Sequence, residues 1–222
     1  MRIGVLGTGT LAHGLGAGWV RAGHEVVVAG RSPAKAQRLA DRLGPGVRAV
    51  APRAAVTGCD AVLLAVSWDG VRDMLRGAGA AEGRLAGIPL IDPTNAVEHG
   101  VGVLLTAPGD SMARRIAGWA PGAQVVKAFH LFPADQWTGG GGPSVTVAMC
   151  GDDAAALGVV GNLVRAVGGV PAVLGSLDRA RQLEEVAGFV IGLVFAGGDP
   201  GSAVPGVPSP ATPGETAQGP TG

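Results

Sequence analysis

The sequence has 222 residues, with 17 basic and 17 acidic side chains, a formal net charge of zero and no tyrosine. That length suits one domain with a sizeable core, because domains typically run ~100–200 residues. A neutral chain has no long-range field to attract nucleic acid or an anionic membrane, so we expect neither as a partner. The absence of tyrosine excludes reductases that depend on a Ser-Tyr-Lys set.

The cysteines and the hydropathy pattern predict a soluble, cytoplasmic protein. Cys59 and Cys150 lie far apart, without the spacing of zinc ligands, so we expect neither a metal site nor a disulfide. Glycine and threonine follow Leu6 too early for the apolar core of a signal peptide. The longest apolar run, 186–196, is shorter than the ~20 residues that a membrane-spanning helix needs.

Apolar runs of strand type alternate with segments of helical period along the chain. This predicts a Rossmann-type, doubly wound, mostly parallel sheet with a small C-terminal α/β extension. We expect strands at 3–6, 25–29, 47–50, 61–66, 88–91, 124–128, 144–150 and 170–174. We expect helices at 10–22, 33–43, 153–167 and 177–196. The last of these is unusually apolar and is a candidate either to pack on the domain or to form a homodimer interface.

The C-terminal end differs in composition from the rest. Thirteen of the last 26 residues are glycine or proline, which leaves too little apolar surface to offset the entropy of ordering. We therefore divide the chain into a folded domain over 1–197, which includes the C-terminal extension and the long helix, and a flexible tail over 198–222.

A glycine-rich turn, Gly7-Thr8-Gly9-Thr10-Leu11-Ala12, follows the first strand and opens the first helix. This is the context of a dinucleotide-binding fingerprint. Gly7 permits the tight turn, Gly9 lets the backbone approach a pyrophosphate, and the helix N-terminus attracts phosphate. The alternative is an ordinary turn in a glycine-rich protein.

The end of the second strand favours NADP over NAD. NAD enzymes place Asp or Glu there to bind the ribose 2′-hydroxyl, whereas this sequence has Ala29-Gly30-Arg31-Ser32. Arg31, Ser32 and Lys35 offer a guanidinium, a hydroxyl and an ammonium to a 2′-phosphate. The alternative is that Arg31 and Lys35 only solvate a surface turn.

Three later strand ends supply further candidates, because ligands of open α/β sheets bind outside the carboxyl ends of the strands. Ser67, Thr94 and Asn95 are candidates to bind the nicotinamide ribose or carboxamide, and Trp68 to close one wall. The segment 92–95 is also a good turn sequence. His130 is the best candidate for contact with a substrate, either as a general acid or as a buried hydrogen-bonding residue.

These motifs together resemble the NADPH-dependent coenzyme F420 reductases and the wider group of predicted dinucleotide-binding enzymes. The likeness includes the glycine turn continued by His13-Gly14-Leu15, the segment Val27 to Ser32, and Val125 to His130 followed by Pro133-Ala134. It extends through Cys150-Gly151-Asp152-Asp153 and 175–184 to about residue 196. Thr10 departs from the family pattern, in which asparagine is usual.

The resemblance implies an NADP-dependent oxidoreductase that uses NADP(H) and a small-molecule redox partner, with F420 as co-substrate. It implies that Thr8, Thr10 and Leu11 hold the pyrophosphate. Around the nicotinamide and the deazaflavin it places residues that follow three strands, namely Ser67, Trp68, Thr94, Asn95, Ala128 and His130. Ala65 and Val66, which precede Ser67, are further candidates for cofactor binding. The resemblance also implies a homodimer, and Gly139 to Gly142 would reshape the pocket.

Two other functions stay open from the sequence. One is an NADPH-dependent reductase of a small carbonyl, imine or flavin-like compound in a specialised pathway, with His130 or Asp135 as proton donor and a pocket shaped by Phe132 and Trp137. The chain offers few proton donors, and hydride transfer to a deazaflavin depends mainly on orientation and proximity. The other is a protein that binds NADP without turnover.

Overall fold

The computed structural model describes residues 1–138 and 144–206. Its eight strands form one sheet in the order β3-β2-β1-β4-β5-β6-β7-β8. All neighbouring strands are parallel except β6 and β7, which are antiparallel. The strands are β1 (Arg2–Leu6), β2 (Glu25–Ala29), β3 (Arg48–Ala49), β4 (Ala61–Leu64), β5 (Pro89–Asp92), β6 (Gln124–Lys127), β7 (Thr146–Gly151) and β8 (Val170–Val173).

Within the described residues, eight α-helices connect and cover these strands. They are α1 (Thr10–Arg21), α2 (Pro33–Leu43), α3 (Pro52–Ala55), α4 (Val71–Ala78), α5 (Met112–Trp119), α6 (Ala154–Ala166), α7 (Ala180–Phe195) and α8 (Pro200–Ala203). A 3₁₀ turn, Leu177–Arg179, leads directly into α7. Within the described ranges, no helix is both long and apolar enough to cross a bilayer.

The core has two layers because successive side chains of a strand point to opposite faces of the sheet. Ile3, Val5 and Leu63 pack on one face, under the apolar stripes of α1, α2 and α6. Leu6 and Leu64 pack on the other face, under α4, α5 and the first turn of α7. The sheet is therefore covered on both sides, as a buried parallel sheet requires.

The predicted fold class is confirmed, and so are the strands and helices predicted above, with ends that shift by up to three residues. Helices α3, α4 and α5 are absent from the prediction. The 3₁₀ turn at the start of α7 accounts for the earlier predicted start of that helix. Helix α8 lies inside the predicted tail, whereas 207–222 and the glycine run 139–142 lie outside the described residues, so the division at residue 197 stays a prediction.

Candidate functional site

The carboxyl ends of β1, β2, β4, β5 and β6 all meet at one edge of the sheet, because these five strands are parallel. Leu6, the last residue of β1, pairs in register with Ala29 on one side and Leu64 on the other. Asp92 and Lys127 end β5 and β6 side by side. Each candidate residue named from the sequence follows one of these ends.

The two glycines of the turn after β1 have different surroundings. Gly7 has φ +142°, and a Cβ there would overlap the carbonyl oxygen of Ala65. Its N–H donates to the carbonyl of Ala29 at 2.8 Å, which ties the turn to β2. Gly9 is the N-cap of α1, has no side chain to cap the helix, and faces open space. The backbone N–H groups at this helix start are thus accessible to a ligand.

One cavity of about 470 Å³ opens at this edge beside the glycine turn. It brings together nine of the residues predicted from the sequence, namely Gly7, Thr8, Gly9, Arg31, Ser32, Lys35, Ala65, Val66 and Ser67. Gly30 and Met74 complete the lining and were not predicted. Thr10 and Leu11 begin α1 next to the cavity, but they are not part of its lining.

The end of β2 carries no carboxylate that would compete with a phosphate for the basic groups of this cavity. Ser32 is the N-cap of α2, where its Oγ accepts from the Lys35 N–H at 3.3 Å. The Arg31 guanidinium carbon comes within 4.0 Å of the place that a Cβ would take at Gly70. The pKa of Asp69 is lowered by the Ser67 hydroxyl, and the charge of Arg31 adds to that effect. Arg31 therefore extends toward the turn that follows β4.

A second cavity, of about 530 Å³, adjoins the first and shares Gly30, Arg31 and Met74 with it. Its remaining lining is mostly small or apolar and comes from α2, from the segment after β3 and from α4: Pro33, Ala36, Gln37, Ala49, Val50, Ala51, Pro52, Asp73 and Gly77. The sequence analysis did not identify this cavity. The signal that could have found it is the segment that follows β3, which lies beside β2 in the order of a Rossmann sheet.

The candidates after β5 and β6 form a separate cluster outside the first cavity. The Asn95 amide donates to the His130 carbonyl at 2.6 Å and so joins the two segments. Among the described residues, Asn95 Oδ1 and both ring nitrogens of His130 are buried without a hydrogen-bond partner of good geometry. Buried polar atoms of this kind are rare, and at a sheet edge they indicate a ligand or ordered water. Ala128 is fully buried, and Trp68 is 38% exposed.

His130 is held as an uncharged imidazole. Burial and, to a smaller extent, the nearby Lys127 charge lower its pKa from an ordinary 6.5 to about 3, against a smaller opposing effect of the Leu183 backbone. At neutral pH the ring can therefore accept or donate a hydrogen bond, but it carries no acidic imidazolium proton.

The backbone before His130 is unusual. Among the described residues, Phe129 is the non-glycine residue with positive φ, at 60°. Its ring packs edge-on against Trp19 and Trp137, with centroids 6.2 and 5.2 Å away. This packing holds a conformation that costs about 1–3 kcal/mol and turns the chain sharply at the end of β6.

Comparisons with known proteins agree with this geometry. Residues 2–96 match the family model described as NADP oxidoreductase, coenzyme F420-dependent. The match spans β1 to β5 and so includes the glycine turn, both cavities and Thr94 and Asn95. The predicted resemblance to this oxidoreductase family is confirmed over these residues.

Individual relatives extend the likeness beyond residue 96. A candidate F420-dependent NADP reductase of Arthrobacter sp. FB24 is 28% identical, with a TM-score of 0.76 over 87% of this chain and 93% of that one. The metalloreductase STEAP3 of Rattus norvegicus is 30% identical over 188 residues, which are 83% of this chain but only 36% of that protein. An imine reductase of Streptomyces aurantiacus shares the fold. It is 21% identical, with a TM-score of 0.64 over 88% of this chain and 62% of its own.

Proposed function

We propose that this protein binds NADPH along the carboxyl edge of its sheet and transfers hydride between it and a small-molecule redox partner, for which coenzyme F420 is the first candidate. One observation carries the proposal: the cavity that brings the Gly7–Gly9 turn beside Arg31, Ser32 and Lys35. A pyrophosphate suits an open glycine turn at a helix N-terminus. A 2′-phosphate suits paired cations at a strand end without a carboxylate.

The residues present fit the whole cofactor. Arg31 and Lys35 would bind the 2′-phosphate, with the Ser32 hydroxyl beside them, and the first turn of α1 would bind the pyrophosphate through Gly9, Thr10 and Leu11. The mostly apolar 530 Å³ cavity has the size and lining for an adenine ring. A side chain at Gly9 would project into the space that the pyrophosphate needs.

The nicotinamide end would lie toward the ends of β4, β5 and β6. When bound, NADPH supplies a hydride from nicotinamide C4. Ser67 and Asn95 would orient the ring through their polar atoms, while Thr94 and Ala128, both buried, would form the floor beneath it. Neutral His130 would orient that acceptor by a hydrogen bond, since orientation and proximity can supply most of the catalysis in such a transfer.

The experiment is to mix the protein with NADPH and oxidised F420 and to follow the deazaflavin and nicotinamide absorbance bands, with NADH in parallel. Bleaching of F420 that depends on NADPH and is much slower with NADH supports both cofactor and acceptor. Tight binding of NADPH without bleaching rejects F420 as the acceptor while the cofactor proposal stands. Equal rates with NADH and NADPH reject the 2′-phosphate assignment.

A second candidate is a reductase of a small carbonyl, imine or flavin-like compound. The observation that favours it is the set of buried atoms on Asn95 and His130 that lack a hydrogen-bond partner of good geometry among the described residues. The rings of Phe132 and Trp137, which pack edge to face with centroids 6.2 Å apart, follow His130 closely in the chain. The low pKa of His130 limits that residue to orienting a substrate by a hydrogen bond, which leaves the exposed Asp135 as the candidate proton donor. NADPH oxidation with an imine or flavin, but not with F420, supports this function, whereas binding without oxidation by any acceptor supports a non-catalytic NADP-binding protein.

We also propose a homodimer through α7. Phe189, Val194 and Phe195 are more than half exposed on this helix, and so are Val101 and Val103 in the segment that packs against it. Large contiguous apolar patches mark interaction surfaces. Light scattering during size-exclusion chromatography is expected to give about twice the monomer mass, and Phe189→Asp is expected to shift it to the monomer. A wild-type monomer at all concentrations would reject the proposal.

A further inference from the structure

Three fully buried charged side chains lie beneath the cluster of Asn95 and His130. The Lys127 ammonium is 3.0 Å from Asp92 Oδ2 and 2.9 Å from Glu184 Oε1, and none of the three side chains is exposed. The desolvation of buried ion pairs is costly, and well-packed apolar residues often give equal or greater stability. Stability by itself therefore does not explain why charges occupy this place.

Glu184 joins this cluster to the second half of the chain. It lies in the second turn of α7, and its two carboxylate oxygens also accept from the Met112 N–H at 3.0 Å and the Ala113 N–H at 3.3 Å. These are the first N–H groups of α5, where the positive end of the helix dipole favours a carboxylate. The second carboxylate of the cluster is thus compensated by backbone as well as by Lys127.

The other side of the cluster holds the segment that follows β5. Asp92 Oδ1 accepts from the Thr94 N–H at 2.8 Å and from the Thr94 hydroxyl at 2.6 Å. Lys127 donates to the Thr94 carbonyl oxygen. Both polar groups of the Thr94 backbone are therefore bound by the cluster. Asn95 follows immediately and donates to the His130 carbonyl, so its orientation depends on where Thr94 is held.

Helix α7 also holds the far end of the same segment. Residues 97–104 form a small hairpin closed by a bridge between Val97 and Leu104. The hairpin lies against two glycines of α7 so closely that a Cβ at Gly188 would overlap the Gly102 carbonyl oxygen, and one at Gly192 would come within 2.8 Å of the Val101 carbonyl oxygen. Helix α7 thus holds the segment after β5 at two places. Glu184 holds its start, and Gly188 and Gly192 contact its hairpin.

We infer that Glu184 is a positioning residue which, through Lys127 and Asp92, sets the placement of Thr94 and Asn95 for the nicotinamide end of the cofactor. The inference rests on the proposed function. Helix α7 was predicted only to pack on the domain or to form a homodimer interface. The inference makes it part of the binding machinery as well. A residue that only stabilised the fold would affect the adenosine end and the nicotinamide end of the site alike.

Glu184→Gln tests this with little change of shape, because glutamine keeps an acceptor for α5 and loses the charge that faces Lys127. The full-length variant is titrated calorimetrically with NADPH and with adenosine 2′,5′-bisphosphate, which contains the 2′-phosphate but no nicotinamide. We expect the variant to bind NADPH roughly tenfold more weakly, the effect of weakening about one or two hydrogen bonds, while its affinity for the bisphosphate stays at the wild-type value.

Glu185→Gln is the matched control. It makes the same chemical change one residue along α7, where the carboxylate is half exposed and pairs with Arg181, and both affinities are expected to stay unchanged. An equal loss for the two ligands in Glu184→Gln, or no loss, would overturn the inference. If Glu184→Gln does not fold, Asp92→Asn is judged by the same two affinities, and failure of both variants to fold would show that the cluster is only structural.

The proposed function fails in a different way. If the wild-type protein binds neither NADPH nor the bisphosphate, the cofactor proposal is wrong and the inference falls with it. If the wild-type protein binds both and the two variants of α7 behave alike, the cofactor proposal stands and only the role of Glu184 is rejected.

Discussion

At the end of β2, Arg31 and Lys35 lie exposed at an open cavity, whereas at the ends of β5 and β6 Asp92 and Lys127 are fully buried. The first region offers backbone N–H groups and hydrated cations to a ligand. The second holds its charges away from water, bound to one another and to Glu184. Both regions lie at the same edge of one sheet. The difference in the burial of their charges therefore reflects the role of each region toward a ligand.

Exposed cations suit the recognition of phosphate, because they lose little hydration before the ligand arrives and attract it from a distance. A buried ion network suits the placement of a reacting ring, because small misplacements at the reacting atoms reduce rates strongly. We therefore expect changes to the exposed cations of the first region to alter affinity with little effect on stability. Changes in the second region should alter stability and geometry together.

The largest effect is expected for Lys127→Met. Methionine leaves the Asp92 and Glu184 carboxylates buried without their cation, and removing one partner of a buried ion pair typically costs about 3–5 kcal/mol. The free energy of unfolding in urea measures the loss. Lys127 and Lys35 are the only lysines, so Lys35→Met is the matched control, with an expected change below about 0.5 kcal/mol. Equal losses for the two variants would contradict the distinction drawn here.

The two glycines of the turn after β1 are expected to affect different properties. Gly7 affects stability, and Gly9 affects the binding of NADPH. Gly7→Ala strains a positive φ and forces a Cβ onto the Ala65 carbonyl, which we expect to cost about 2–4 kcal/mol of unfolding free energy. Gly9→Ala meets open space and should unfold like the wild type. Its Cβ should nevertheless weaken NADPH binding. Thermal melts and NADPH titrations of both variants check this, and a Gly9→Ala protein with wild-type affinity would argue against a pyrophosphate at this turn.

Arg31→Ala removes one exposed cation from the phosphate region. Hydrogen bonds to charged groups are worth about 1.5–3 kcal/mol, so NADPH affinity should fall by about 10–100-fold. NADH affinity should hardly change, since NADH has no 2′-phosphate. Arg38→Ala, on the exposed side of α2 and outside both cavities, is the control. A parallel loss for NADH and NADPH would reject the role of Arg31.

The smallest effect concerns pH and the second region. His130 has a pKa of about 3 in the folded protein and an ordinary value of 6.5 when unfolded. The unfolded chain therefore binds more protons between these values, so this group's contribution to stability is present above pH 6.5 and is lost as pH falls toward 3. Replacement by glutamine should reduce the slope of unfolding free energy against pH by about 1 kcal/mol per unit between roughly pH 6 and 4.

The other titrating groups are common to the wild type and the His130→Gln variant, so the difference between their two pH curves isolates this histidine. Urea unfolding at several pH values supplies those curves. Parallel curves would mean that His130 is solvated in the folded protein and that its ring is charged near pH 6. A general acid role at neutral pH would then regain support.

The features that are local along the chain could be predicted from the sequence. The apolar alternation of β1, the turn at Gly7 and the first turn of α1 lie within a dozen residues, and their backbone torsions depend on glycine at fixed positions. The absence of an acid beside Arg31 is equally local. Short helices such as α4 and α5 were missed because eight residues carry too little periodic signal to separate them from loops.

The environment of the second region could be found only from the tertiary structure. Asp92 and Lys127 are 35 residues apart, and Lys127 and Glu184 are 57 apart, so no spacing along the chain indicates that they meet. The burial of His130, and with it the low pKa, depends on how strands and α7 pack together. Backbone geometry is encoded by the residues at the turn itself, whereas the electrostatics of a buried group depend on every element that excludes water from it.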